Sequence, residues 1–210
     1  MKRISSYLIA VMLVSTVMIS CNSGPGKKLK EAKEKVQTTS RAVKGMSKME
    51  KESDDIGKRV EALSKQAPFT NDKFKKWMPE QINGMKRTSF EFTSTMGNQG
   101  RMSYEDEIDN NKKIKVSVID GAGEMGSVIY ASQAFLTGFM DNYETESESK
   151  TEKIVERKGK KAMETFYKKD NKCEIKTVID DRFIVIAESD GMSIDETWNA
   201  IDKLNVGKLK

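Results

Sequence analysis

Lys113-Ile114-Lys115-Val116-Ser117-Val118-Ile119-Asp120-Gly121-Ala122-Gly123-Glu124-Met125-Gly126 admits two architectures. Ile114, Val116 and Val118 alternate with polar residues, the period of a strand buried on one face. The glycines that follow fit G-x-G-x-x-G and open a helix, the context of a dinucleotide-binding turn, and Asp141 and Glu144 lie at a suitable distance for a ribose contact. Such a turn needs a parallel second strand buried on both faces. The next segment, Tyr143-Glu144-Thr145-Glu146-Ser147-Glu148-Ser149-Lys150, is polar and acidic and runs into hairpins. Only one crossover helix is on offer, and Asp120 stands between the strand and the first glycine. Gly121, Gly123 and Gly126 therefore read as a flexible strand-to-helix connection whose small residues ease close packing. No cofactor is expected, and a dinucleotide-dependent oxidoreductase built on the Gly121–Gly126 loop is the lesser alternative.

Outward from this run the period-two pattern continues in both directions. Thr88, Phe90 and Phe92 begin one strand, Met102 and Tyr104 mark the next, and Asn110-Asn111 turns toward Lys113. Ser127 to Asn142 reads as a helix with Val128, Ala131, Phe135, Leu136 and Phe139 facing a core. Strands follow around Tyr143–Ser149, Glu152–Arg157, Ala162–Lys168, Glu174–Ile179 and Phe183–Glu188, with turns at Gly159, Asp170-Asn171 and Asp180-Asp181. A last helix carries Ile194, Trp198, Ile201 and Leu204 on one stripe until Gly207. A short helix with Phe74, Trp77 and Met78, capped from Thr70-Asn71-Asp72, precedes the strands. Hairpin-linked strands with few helices predict an α+β domain over 68–210, its antiparallel sheet covered by helices. The order of elements across 68–205 resembles the PsbP/Mog1-like α/β sandwiches, in element sequence and in no specific motif, so no functional residues are carried over.

Ahead of Pro68, residues 29–66 are charged, proline-free and rich in helix formers. Leu29, Ala32, Val36, Val43 and Met46 make a near-heptad stripe that shifts phase to Met49, Ile56, Val60 and Leu63. The expectation is a long N-terminal helix, a spacer with weak coiled-coil character that offers a route to self-association. Residues 21–28, with Asn22-Ser23-Gly24-Pro25-Gly26, read as a flexible tether. Lys2 and Arg3 followed by the apolar Leu8–Ile19 run have the anatomy of a signal peptide over 1–20, too short to span a bilayer unaided. Val17-Met18-Ile19-Ser20-Cys21 resembles the lipobox of bacterial lipoproteins, with Met18 where Leu is commoner. That resemblance implies cleavage before Cys21, with lipid attachment at its sulfur and N-acylation. An ordinary secretory cleavage and an uncleaved anchor are the competing readings. The location implied is the cell envelope, lipid-anchored on the outer membrane, at its periplasmic or surface side.

Composition bounds the rest. The formal charge of +5 falls by two on loss of Lys2 and Arg3, and aromatic residues are few, so a nucleic-acid partner is not expected. Residues 27–48 hold eight Lys or Arg against two Glu, a patch that suits anionic headgroups or solvent equally. The chain has no histidine and two cysteines, Cys21 and Cys173. Ser-His and Cys-His catalysis and the usual zinc sites are thereby excluded. Asp54-Asp55 and Asp180-Asp181 sit on a charged helix and in a turn, where solvation and turn formation explain them. No catalytic or metal residue is assigned. The expected function is a non-enzymatic binding or scaffolding module with a membrane contact through lipid and an envelope protein or cell-wall partner. A carrier of a small apolar ligand, held in a cavity between sheet and helices, is the other alternative.

Overall fold

A computed structural model describes residues 47–140 and 142–209. Helix α1 covers 47–64. It is followed by α2 (Asn71–Trp77), β1 (Gln81–Ile82), β2 (Met85–Thr93), β3 (Gln99–Glu105), β4 (Lys113–Asp120), α3 (Gly123–Phe139), β5 (Glu144–Glu146), β6 (Lys150–Arg157), β7 (Lys160–Tyr167), β8 (Lys172–Ile179), β9 (Phe183–Asp190) and α4 (Ile194–Leu204). The strands form one sheet in the order β1-β2-β3-β4-β9-β8-β7-β6-β5, each neighbouring pair antiparallel. Two meanders, β1–β4 and β5–β9, meet at the β4–β9 seam, where Lys113 pairs with Asp190 and Asp120 with Phe183.

The expected fold class is corrected by this architecture. A long N-terminal helix followed by a mostly antiparallel sheet covered by helices is replaced by a dominant nine-stranded, wholly antiparallel sheet flanked by four helices among the described residues. No long N-terminal helix stands among those residues, where helix is described over 47–64. The physical reason lies in the phase shift noted in the sequence. Val60 and Leu63 belong to a stripe that packs with Ile119 and Ile184 of the sheet and Tyr130 of α3, so this part of the chain is fixed by the sheet and the helix beside it. Cys21, the tether 21–28 and residues 29–46 of the spacer lie outside the described residues, and no described helix is long and apolar enough to cross a membrane.

Alternation places two cores on opposite faces of the sheet. On one, Met102, Val116, Ala187 and Ile175 stand in a cross-strand row under Trp198, Ala200, Ile201 and Leu204 of α4 and Phe74 of α2. Tyr104 in this core donates to the Pro79 carbonyl at 3.0 Å, and burial raises its pKa to about 12. On the other face Ile119, Ile184, Tyr130 and Leu63 form a smaller core beneath α1 and α3.

The predicted inward face of α3 is also corrected. Val128 and Phe135 are 58% and 57% exposed, while Gly126, Ser127, Tyr130 and Thr137 are buried. The helix is apolar nearly all round, so periodicity alone cannot choose its inner side. Close approach to the sheet chooses it, and that favours the side carrying Gly126 and Ser127.

Candidate binding cleft

The row Val116–Ala187–Ile175 continues through Glu164 on β7 to Lys153 on β6. Alternation therefore turns a carboxylate toward the face covered by α4, and Glu164 is 2% exposed. Its Oε1 accepts from Trp198 Nε1 at 2.7 Å and pairs with Arg157 Nε at 2.6 Å. Arg157 in turn donates from Nη1 to Asp195 Oδ1 at 2.6 Å, and its guanidinium lies 5.8 Å from the Trp198 ring centre. Oε2 is different. It is buried without a hydrogen-bond partner, and its one charged neighbour is Lys153 Nζ at 3.8 Å. Buried polar atoms in native proteins are overwhelmingly bonded, so an unmade bond on a carboxylate asks for an explanation.

Above this group, where the cover of α4 gives out toward the sheet edge, lies a cleft of about 390 Å³ lined by Thr151, Lys153, Arg157, Glu164, Phe166, Ser193, Ile194 and Asp195. A smaller hollow of about 150 Å³ adjoins it, sharing Arg157 and Asp195 and reaching Lys158, Lys160, Trp198 and Asp202. The cleft combines both signs of charge with two apolar walls. By contrast, Ala200, Ile201 and Leu204 of α4 are 0–2% exposed where they meet the sheet, so the interface expected to hold an apolar ligand is filled by side chains along that helix.

The cleft's α4 wall is held by its own capping. Ser193 accepts from Glu196 N, and Glu196 accepts from Ser193 N at 2.8 Å. Glu196 also pairs with Lys112 at 2.7 Å, and these contacts lower its pKa to about 2 from an ordinary 4.5. Because the folded carboxyl keeps its charge to lower pH than the unfolded one, its contribution is complete above about pH 4.5 and fades as pH falls toward 2. Glu196→Gln is expected to flatten that part of the acid-denaturation curve while preserving the cap. The half-exposed pair limits the loss at pH 7 to below about 1 kcal/mol, measurable by urea titration across pH.

The G-x-G-x-x-G loop lies elsewhere, at the end of the β4–β9 seam, where Gly121 N donates to the Arg182 carbonyl at 2.9 Å. Strand β4 is flanked by antiparallel partners on both sides. A Cβ on Gly121 would meet the Arg182 carbonyl oxygen at 2.5 Å, and one on Gly126 would meet the Asp120 carbonyl oxygen at 2.4 Å. Two of the glycines are thus spent on backbone packing, and Gly123 supplies a φ of +77° beside Pro68. Asp120, fully buried at the strand end, accepts from Phe69 N, Ala122 N and both Nε and Nη2 of Arg182. That carboxylate is a structural clamp with no free valence for a ligand.

Cys173 is buried and donates to the Met192 carbonyl at 3.0 Å, and desolvation raises its pKa. A thiol held protonated and covered is a poor nucleophile. Alkylation of native protein by iodoacetamide at Cys173 is expected to be at least tenfold slower than in urea, read by mass spectrometry. Cys21, the assigned lipid attachment residue, is outside the described residues. Glu164, Arg157, Lys153 and Asp195 were not singled out by sequence reasoning. The available signal was phase: Ala162, Glu164 and Phe166 share one face of a strand, so an acid stands where alternation wants an apolar residue.

No family model, curated protein or solved structure matches the chain, so the functional reading rests on its own residues.

Proposed function

We propose that this chain is a lipid-anchored, non-enzymatic binding module of the cell envelope, tethered at Cys21 and recognising a small ligand in the cleft above Glu164. One observation carries the reading: a 2% exposed carboxylate whose second oxygen lacks a hydrogen bond forms the floor of an open cleft. Leaving such an oxygen unbonded costs roughly 1–3 kcal/mol, a standing cost that a ligand's donor removes. The sequence supports the setting through the lipobox-like Val17–Cys21 and the absence of histidine. The acids and bases of the cleft are paired with one another, Arg157 with Glu164 and Asp195, which suits holding a molecule more than transforming it.

The test separates address from recognition. Cells making native protein, Cys21→Ala or Thr151→Trp are fractionated into envelope and soluble parts, and native protein and Thr151→Trp are examined by intact-mass and native mass spectrometry for acylation and retained small molecules. The reading expects an acylated Cys21, loss of membrane association in Cys21→Ala, and loss of the retained molecule in Thr151→Trp, where an indole fills the cleft on a strand position that tolerates it. An unmodified N-terminus on soluble native protein would overturn the anchor. A small molecule retained equally by Thr151→Trp, or recovered chemically altered, would overturn the cleft or the non-enzymatic assignment.

A further inference from the structure

Resting on that reading, we infer that the cleft takes an α-amino acid as its zwitterion, with the ammonium group on Glu164 Oε2 and the carboxylate between Lys153 and the first turn of α4. The floor asks for a donor, because Oε2 is an acceptor with no hydrogen bond in a residue that is 2% exposed. Oε1 cannot serve, being already engaged by Trp198 and Arg157. The wall asks for an anion. Lys153 Nζ is 42% exposed on its side chain and its contact with Glu164 is 3.8 Å, too long for a hydrogen bond. Ile194 and Asp195 open the eleven-residue α4 and line the same cleft. Glu196 N is taken by Ser193 Oγ and Thr197 N by the Ser193 carbonyl, which leaves the N–H groups of Ile194 and Asp195 as the first-turn donors without an intrahelical acceptor. The acids of that turn, Asp195 and Glu196, are paired with Arg157 and Lys112.

The charges of the lining also choose among ligands. Lys153 and Arg157 balance Glu164 and Asp195, so a ligand of zero net charge enters without leaving net charge behind, whereas a simple cation or anion does not. A zwitterion meets both needs within the short span of one α-carbon. Phe166 and Ile194 provide half-buried apolar walls for its side chain, and a volume of about 390 Å³ is at the small end of ligand pockets, which run roughly 300–1,000 Å³. On entry the Lys153 ammonium leaves Oε2 for the ligand carboxylate, and the ligand's ammonium takes its place, so the number of ion contacts made by Glu164 is conserved.

Isothermal titration of the detergent-solubilised mature protein with L-leucine, N-acetyl-L-leucine and L-leucinamide tests this. Saturable binding of L-leucine is expected, weakened at least tenfold by blocking either end. Glu164→Gln is expected to lose at least tenfold, since its amide oxygen can keep the Trp198 and Arg157 contacts while its NH2 replaces the acceptor. Lys153→Met is expected to bind leucine and leucinamide alike, and this exposed position decides the matter should Glu164→Gln fail to fold. Equal binding of the blocked analogues, or no saturable heat with leucine, overturns the inference. If the envelope-derived molecule is still displaced by Thr151→Trp in that case, the ligand class falls and the cleft stands; if it is not, both fall.

Discussion

Asp120→Ala is expected to destabilise the protein by about 3–5 kcal/mol, the range for stripping one partner from a buried ion pair. The carboxylate is 0% exposed and joins four donors from three parts of the chain: Phe69 N at 2.7 Å, Ala122 N at 3.0 Å, and Arg182 Nε and Nη2 at 2.7 and 2.8 Å. Its removal leaves the Arg182 guanidinium, packed 4.7 Å from the centre of the Phe69 ring and 5.3 Å from that of Phe183, without its countercharge. Two backbone N–H groups are orphaned as well, each a cost of roughly 1–3 kcal/mol if water cannot reach it. Urea denaturation reads the loss as a lower midpoint at unchanged slope. Adding Arg182→Met to Asp120→Ala is expected to recover about 1–2 kcal/mol, because the uncompensated cation is then gone. A loss below about 1 kcal/mol in the single variant would show that the clamp is not what fixes the strand end.

Gly126→Ala is expected to cost about 3 kcal/mol, at the upper end of overpacking penalties. Both Gly126 and Gly57 lie in helices, and propensity alone says that alanine stabilises either by about 1 kcal/mol. Surroundings separate them. The new Cβ at Gly126 would stand 2.4 Å from the Asp120 carbonyl oxygen and 2.8 Å from the Gly121 carbonyl carbon, atoms that cannot rotate aside. At Gly57 it would meet nothing within 4 Å, so Gly57→Ala is expected to raise the midpoint. Opposite signs at the two sites, measured by the same titration, are the outcome required; equal signs would mean that α3 can lift from β4 at little cost.

Local signals made most elements legible. Alternation at Ile114, Val116 and Val118 and the turns at Asp170-Asn171 and Asp180-Asp181 set β4, β8 and β9 close to where they stand, and the stripe Ile194, Trp198, Ile201 and Leu204 marked α4. Strand β1 was missed because two residues have no period, although Asn83-Gly84, both at positive φ, is a strong hairpin signal. Which strand edges meet was not legible at all. Turn chemistry specifies neighbours along the chain, whereas the β4–β9 pairing depends on matching two distant apolar rows, Val116 and Val118 with Ala187 and Val185. The cleft was hidden for the same reason. Glu164 looks out of place on its own strand, but its partners Arg157 and Trp198 arrive from β6 and α4, and nothing in their local sequence announces the triad.

The β4–β9 seam also bears on how the chain reaches its native state. Each meander can zip up hairpin by hairpin through short loops, but joining them requires Lys113 to find Asp190 across the whole span of α3 and four strands. Closing so long a loop draws little reward until the registers lock, which places the docking of two preformed halves late on the folding route and makes it the slow event. Before that moment the flank of β4 and that of β9 are bare and sticky, so newly made copies are most prone to pair with one another at these two edges.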